Sequence, residues 1–270
     1  MKLGLQLYSV RDEMEKDFFG TLQKVKAMGY EGGELAGYFS YTPEEVKDMF
    51  AKAGLEPISA HVSYNELISG IEKTVKNYKL IGCKYIAIPH LPEELRYGKE
   101  AYTEVVENIK KIGKVCNENG IVLMYHNHDF EFEKTTDGEY VLDALYNEVS
   151  SDLLKTEIDT CWVNVAGVNP CEYVEKYTGR APVVHLKDFF GERNANMYEL
   201  IGVDSKKVEK KNNFEFRPLG YGKQDIQAIV DSAKKAGAKW LIAEQDSPSM
   251  GLTSLESVQK SADYMKTIKY

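Results

Sequence analysis

Cysteine is scarce in this chain. Cys83, Cys116, Cys161 and Cys171 are the four in 270 residues, and no two form a CxxC pair. That points away from a disulfide framework and toward a reducing cytoplasm, with each thiol acting as a small buried apolar group. Long apolar runs are missing too. No stretch approaches the roughly 20 residues that a membrane span needs. The N-terminal "MKLGLQLYSVRDEM" turns charged at Arg11, too early for a signal peptide. There is no basic run and the net charge is −8, which argues against non-specific nucleic-acid binding. What remains, 43% hydrophobic and 28% charged residues, is the make-up of a soluble globular chain. Its length allows one α/β barrel or two smaller domains.

One punctuation recurs. A charged helical segment ends at a glycine and an apolar strand follows, in "KAMGYEG", "AKAGLEPISA", "KLIGCKYIAI", "NENGIVLMY", "KYTGRAPVVHL" and "KKAGAKWLIA". Glycine accepts the left-handed backbone that stops a helix, so Gly29, Gly54, Gly82, Gly120, Gly179 and Gly237 read as helix C-caps. These junctions, the opening strand and the apolar-to-acid segment "DLLKTEID" predict strands at about 3–10, 30–36, 57–63, 84–90, 121–128, 153–163, 182–189 and 239–246. Helices are expected at about 16–28, 43–53, 64–81, 98–119, 138–149, 170–178, 223–236 and 253–268. Eight strands alternating with eight helices predict a (β/α)8 TIM barrel, with 1–270 as a single domain. A doubly wound open sheet would favour a glycine-rich loop after strand one, and "YSVRDEM" has no glycine. The stretch at about 190–222 is too long for a plain connection and is expected to form a long loop or lid.

Histidine is also rare, with five in all. Each is predicted at or near the C-terminal end of a strand: His61 on strand three, His90 on four, His126 and His128 on five, His185 on seven. That end of a barrel carries the active site. Glu34, Asp159 and Glu244 join them from strands two, six and eight. Acids inside apolar strands are costly to bury unless paired or metal-bound. His126, Asp159, His185 and Glu244 come from four consecutive strands and can surround one divalent ion. Two imidazoles and two carboxylates suit Mn, Co, Fe or Zn better than Mg or Ca, which prefer oxygen alone. An ion-pair network across the barrel mouth would explain the same residues.

The ordered segments "LGLQLYSVRDE", "GYEGGELAG", "YHNHDFEF", "EIDTCWVNVAG", "HLKD", "PLGYGKQD" and "AEQD" span nearly the whole chain. In that combination the chain resembles the xylose-isomerase-like superfamily of sugar and sugar-phosphate isomerases and epimerases, which includes inosose dehydratases. The resemblance implies a (β/α)8 barrel, one divalent metal and keto-sugar chemistry. It places the family's metal positions on His126, Asp159, His185 and Glu244. Epimerases of the family usually carry glutamate at the strand-five position, where it and the strand-eight glutamate exchange a proton across two faces of the substrate. This chain has His126 there. The four side chains would then offset a divalent ion to about zero charge, which makes it a stronger Lewis acid. One of the two proton-exchanging carboxylates is also gone, which puts two-face epimerisation in question.

The expected function is a divalent-metal-dependent isomerase or epimerase of a sugar or keto-sugar, phosphorylated or not, acting through an enediolate. The alternative is a dehydratase or lyase that expels a β-substituent from a keto-sugar or keto-inositol. Glu244 is the expected base, with proximity compensating for basicity lost at the metal. His128 shares the side of His126 by two-residue alternation, as a second acid/base or a substrate contact. Lys187, two residues beyond His185, would hold an oxyanion or protonate a leaving hydroxyl. Gln6, Glu34, His61, His90, Trp162 and Arg217 are expected substrate contacts. Tyr8, Tyr64, Phe130 and Phe189 would join Trp162 as a wall for a sugar ring. Gly220 and Gly222, ahead of a helix N-terminus, offer a weak anion site that a plain loop explains as well. A non-catalytic sugar-binding barrel and a phosphodiesterase of the same superfamily are competing classes. The second needs a basic track, and the acidic net charge argues against it. The expected partner is a small carbohydrate, with no nucleic acid and no membrane; a homo-oligomer is compatible with the sequence.

Overall fold

The structure is a computed structural model that describes residues 1–193 and 213–270. The strands are β1 (Lys2–Gln6), β2 (Gly32–Leu35), β3 (Glu56–His61), β4 (Tyr85–Ile88), β5 (Val122–His126), β6 (Lys155–Asp159), β7 (Val183–Leu186), β8 (Asp188–Phe190), β9 (Glu215–Arg217) and β10 (Trp240–Ala243). Eight of them close into a barrel in the order β1-β10-β7-β6-β5-β4-β3-β2. Every neighbouring pair in it is parallel. The expected TIM barrel is the observed fold.

The local signals explain how each unit forms. Thr42 opens a helix with a capping box closed by Glu45, and Thr253 does the same with Glu256. Helices stop at Gly29, Gly54, Gly82 and Gly237, where φ is 110°, 71°, 111° and 85°. Residues with a Cβ rarely adopt that backbone. The helix Tyr102–Glu118 buries Val105, Val106, Ile109, Ile112 and Cys116 along one face. Each such aliphatic side chain contributes about 1.5–3 kcal/mol on leaving water. The barrel interior has an apolar floor of Ile58, Ala87, Met124, Val183, Trp240 and Ile242. No helix among the described residues is long and apolar enough to cross a membrane.

The strands end earlier than the sequence predicts, and at β1 and β6 a side-chain cap is the reason. β1 stops at Gln6 because its side chain accepts the Tyr8 N–H, and Leu7–Val10 turns as a 3-10 helix. The predicted strand 153–163 is β6 followed by a helix, Thr160–Val165, capped by the Asp159 carboxylate. The expected helix 64–81 breaks at Gly70 into Tyr64–Ser69 and Ile71–Ile81. After β7 the chain leaves the barrel, and β8 pairs antiparallel with β9. This hairpin takes up part of the expected lid at about 190–222; residues 194–212 of that lid lie outside the described residues.

Candidate metal centre and its pocket

Two-residue alternation lifts the floor into the mouth. Met124, Val183 and Ile242 lie in the floor, so His126, His185 and Glu244, each two residues later, face the same interior. Register sets Asp159 beside His185 and His126 beside Glu157. One ligating atom from each of His126, Asp159, His185 and Glu244 lies within 4.8 Å of the others, and all four residues are buried.

Both imidazoles are oriented from behind. His126 Nδ1 lies 3.2 Å from Glu157 Oε2, while its Nε2 faces Asp159 Oδ2 at 3.7 Å. His185 Nε2 lies 2.8 Å from Glu34 Oε1, while its Nδ1 faces Glu244 Oε2 at 3.1 Å. A carboxylate that takes one ring N–H leaves the other nitrogen as a lone pair, the arrangement found behind metal-binding histidines. His61 Nε2 joins the two supports, 2.7 Å from Glu157 and 3.1 Å from Glu34. Gln6 donates to Glu34 at 2.7 Å, and the Ser59 hydroxyl donates to its other oxygen.

One atom tests whether a cation fits. Asp159 Oδ1 accepts the N–H groups of Cys161 and Trp162 at 2.8 and 3.2 Å. Its Oδ2 is buried and accepts no hydrogen bond, with Lys187 Nζ at 3.5 Å and His126 Nε2 at 3.7 Å as its polar neighbours. Such an oxygen is costly to leave unsatisfied. An ion shared with His126, His185 and Glu244 would satisfy it, and the mixed nitrogen and oxygen donors fit a transition metal. A second group, His61, His126, Glu157 and His185, is equally close-set. There the carboxylate already lies against the imidazoles, so it reads as the supporting network.

Charge is distributed unevenly. Burial would raise the Glu34 carboxyl, but His61 and His185 hold it well below the usual range. Glu244 is likewise held below its ordinary value, against burial, by Lys187 and His185. Burial and the charge of Glu34 push Glu157 up to about 7. His126 is kept neutral by burial and by its cationic neighbours. Lys187 is fully enclosed. Its Nζ lies 2.5 Å from Asp246, 3.0 Å from Glu244 and 3.5 Å from Asp159. It also stands over the Trp162 and Phe216 rings at 5.4 and 4.9 Å. Burial would lower its pKa, but the three carboxylates hold it well above the ordinary lysine value.

Above these groups lies a cavity of about 350 Å³ lined by His61, His126, His128, Lys187, Glu244 and Asp246, together with Tyr8 and His90. Trp162 packs behind it, 5.2 Å from His128. Several expected contacts lie elsewhere. Gln6 and Glu34 are fully buried and engaged with each other beneath the cavity, because their strands end a layer below the lining. Arg217 sits on β9, paired with Glu215 at 2.8 Å, and the hairpin carries it away from the lining. The Tyr64 hydroxyl accepts from Asn108, and Phe189 stacks on Phe214. Gly220 and Gly222 do bind an anion, but it is the chain's own Asp188 carboxylate.

Sequence reading missed Glu157, Asp246 and Asn127. Alternation was the available signal for the first two, since each is two residues from an expected ligand in "TEID" and "AEQD". Asn127 clips β5 to β6 by bonding both backbone groups of Asp159. Glu34 also adds negative charge behind His185, which the expectation of a weakly neutralised metal leaves out.

A closed parallel barrel with acids and imidazoles gathered at its C-terminal mouth is the plan of a barrel enzyme. Residues 22–268 match the family model of the xylose isomerase-like TIM barrel, and the chain belongs to that family. It is 22% identical over 278 residues to an inosose dehydratase of Clostridium botulinum, covering 93% of this chain and 90% of the relative. A solved sugar phosphate isomerase/epimerase from Parabacteroides distasonis superposes with a TM-score of 0.80 at 24% identity, covering 98% of each chain. A crystal structure of the IolI protein with a zinc atom superposes with a TM-score of 0.74 at 16% identity, covering 99% of this chain and 97% of that one.

Proposed function

We propose that this chain is a divalent-metal-dependent enzyme that removes the proton α to the carbonyl of a keto-sugar or keto-cyclitol and expels a β-hydroxyl as water. The observation that carries this reading is the make-up of the cavity. Glu244 and Lys187 face each other there, and the strand-five position holds His126, tied to Glu157, where a second carboxylate would serve epimerisation. The inosose dehydratase relatives and the zinc in IolI support the same reading.

His126, Asp159, His185 and Glu244 would hold the metal, which when bound polarises the carbonyl and stabilises enediolate charge. Glu244, kept ionised by Lys187 and His185, takes the α-proton. The C–H electron pair becomes the enediolate. Lys187 donates a hydrogen bond to the oxyanion as charge develops. The protonated Glu244 then hands its proton to the departing β-hydroxyl, the C–O bond breaks, and water leaves. His128 and His90, kept neutral by burial, bind substrate hydroxyls. Among the described residues Lys187 is the one lysine or arginine lining the cavity. It already faces three carboxylates, which supports an unphosphorylated substrate. Isomerisation or epimerisation is the second reading, favoured by His128 standing in the same cavity as a second proton carrier.

Keto-sugars and keto-inositols given to the Mn-loaded protein in D2O separate the two readings. Dehydration yields a product lighter by one water. Isomerisation or epimerisation keeps every heavy atom and places deuterium on the α-carbon. Glu244→Gln is expected to lower kcat by on the order of 10³. Unchanged turnover in that variant would remove Glu244 as the base.

A further inference from the structure

The loop after β4 folds back on its own start. β4 ends at Ile88, and Pro89 and Pro92 keep the residues before them out of a helix. A 3-10 turn at Glu93–Leu95 then reverses the chain, which brings Arg96 beside His90. Three contacts hold the guanidinium there. Nε donates to the Leu91 carbonyl at 2.9 Å, Nη2 lies 3.0 Å from His90 Nε2, and Cζ lies 3.4 Å from the centre of the Phe130 ring. His90 lines the mouth cavity and Arg96 does not, so any effect of Arg96 on a bound molecule passes through the imidazole.

The chemistry of the two side chains fixes the direction of that contact. Arginine carries N–H donors and no acceptor, and it stays charged in proteins. The His90 nitrogen that faces it must therefore accept. Burial and the Arg96 charge push the His90 pKa down to about 4, so the ring is neutral at pH 7. A neutral imidazole with its lone pair on Nε2 carries its proton on Nδ1. Among the described residues Nδ1 has no hydrogen-bond partner, yet it is not one of the atoms buried without one, so it is open.

We propose that Arg96 is a positioning residue that fixes His90 in its Nδ1–H form, so that His90 offers the mouth cavity a hydrogen-bond donor and no base. The tautomer does not depend on the reaction. Its use rests on the reading above, in which a neutral keto-sugar or keto-cyclitol occupies this cavity. There the Nδ1–H donates to a hydroxyl or carbonyl oxygen. A protonated amino group in the same place would meet a second donor, so the contact favours a hydroxylated substrate over an amino-substituted one. His90 is also removed as a proton acceptor, and proton transfer is left to other groups of the cavity.

Two-bond proton–nitrogen NMR of the histidine rings in the zinc-loaded full chain tests this, because a protonated ring nitrogen and a lone-pair nitrogen differ widely in nitrogen shift. His90→Ala assigns the signals by their loss. Wild-type His90 is expected with its proton on Nδ1 and a lone pair on Nε2. Arg96→Met removes the donor and is expected to move the ring toward the Nε2–H form. Arg96→Lys keeps a donor without the rigid fork and is expected between the two. Thermal melts check folding, and Arg96→Lys takes the place of Arg96→Met if the latter does not fold. An Nε2–H ring in wild type, or a ring unchanged by the variant, overturns the proposal. With scyllo-inosose and the Mn-loaded protein, Arg96→Met is expected to raise KM about three- to tenfold with little change in kcat. In a His90→Ala background it should add nothing. A full added cost there would mean that Arg96 does not act through His90. Absence of turnover with every keto substrate would remove the reaction and leave the tautomer standing, so the two failures are distinguishable.

Discussion

Buried carboxylates are held in two opposite ways in this protein. At the mouth, Glu34 and Glu157 are held by imidazoles from β3, β5 and β7, reaching partners as far as 151 residues away in sequence. A few residues past β7, Asp188 is held almost wholly by backbone. Phe189 and Gln224 donate to Oδ1 at 2.9 and 3.1 Å, and Gly220 and Gly222 donate to Oδ2 at 3.0 and 2.9 Å. A side chain on Gly222 could not fit, since a Cβ there would lie 2.1 Å from Asp188 Oδ1. Amides neither titrate nor turn, so the Asp188 carboxylate ends in an anchor for the hairpin and the loop before the next helix. An imidazole has a second nitrogen. A carboxylate that holds one side of it aims the other, and that turns Glu34 and Glu157 into positioning groups. The charges follow the same division. Burial raises the Asp188 carboxyl in spite of its four amides, whereas the histidines beside Glu34 overcome burial.

If this contrast is right, damage to the two sites should read out in different measurements. The largest effect is expected from Glu157→Gln and Glu34→Gln, each weakening metal affinity by about 10- to 100-fold in calorimetric titration. Affinity within twofold of wild type for both would mean that the imidazoles need no support. Asp188→Ala should leave metal content intact and lower stability by about 2 kcal/mol in urea unfolding, because four amides lose their acceptor. Loss of metal with unchanged stability would reverse the assignment.

Glu131 sharpens the comparison through pH. It is buried and accepts the Tyr125 hydroxyl and the His128 N–H, and among the described residues no cation is bonded to it. Burial lifts its pKa to about 7 from an ordinary 4.5. The folded state then binds the proton more tightly than the unfolded chain. The associated stability is fully present below about pH 4.5 and is lost as pH rises through 7. Relative to Glu131→Gln, wild type should lose about 3 kcal/mol over that interval. Parallel stability curves for the two proteins would show that Glu131 titrates normally.

How much of this was legible beforehand depends on the range of the interaction involved. Helix stops at Gly29, Gly54, Gly82 and Gly237 were readable because a left-handed cap is a property of one residue and its turn. Apolar-to-polar alternation in "VLMYH" and "VVHL" was readable because strand side chains repeat every two residues. The Asp159 cap is local too, but the β-formers in "TCWVNV" favour a strand by propensity over the short helix that the cap starts. Glu34 and Gln6 could be placed on strand ends but not at a height within the barrel.

The sequence by itself therefore determined the alternation of strand and helix, the barrel it implies, and the set of acids and histidines carried to one end. Those depend on backbone preferences and on periodicity along the chain. The tertiary structure alone decided which carboxylate stands behind which imidazole, that Asp188 fills the glycine loop, and that Arg217 leaves the mouth. Each of those depends on strand stagger and on distances between residues far apart in the chain, and barrel closure sets them.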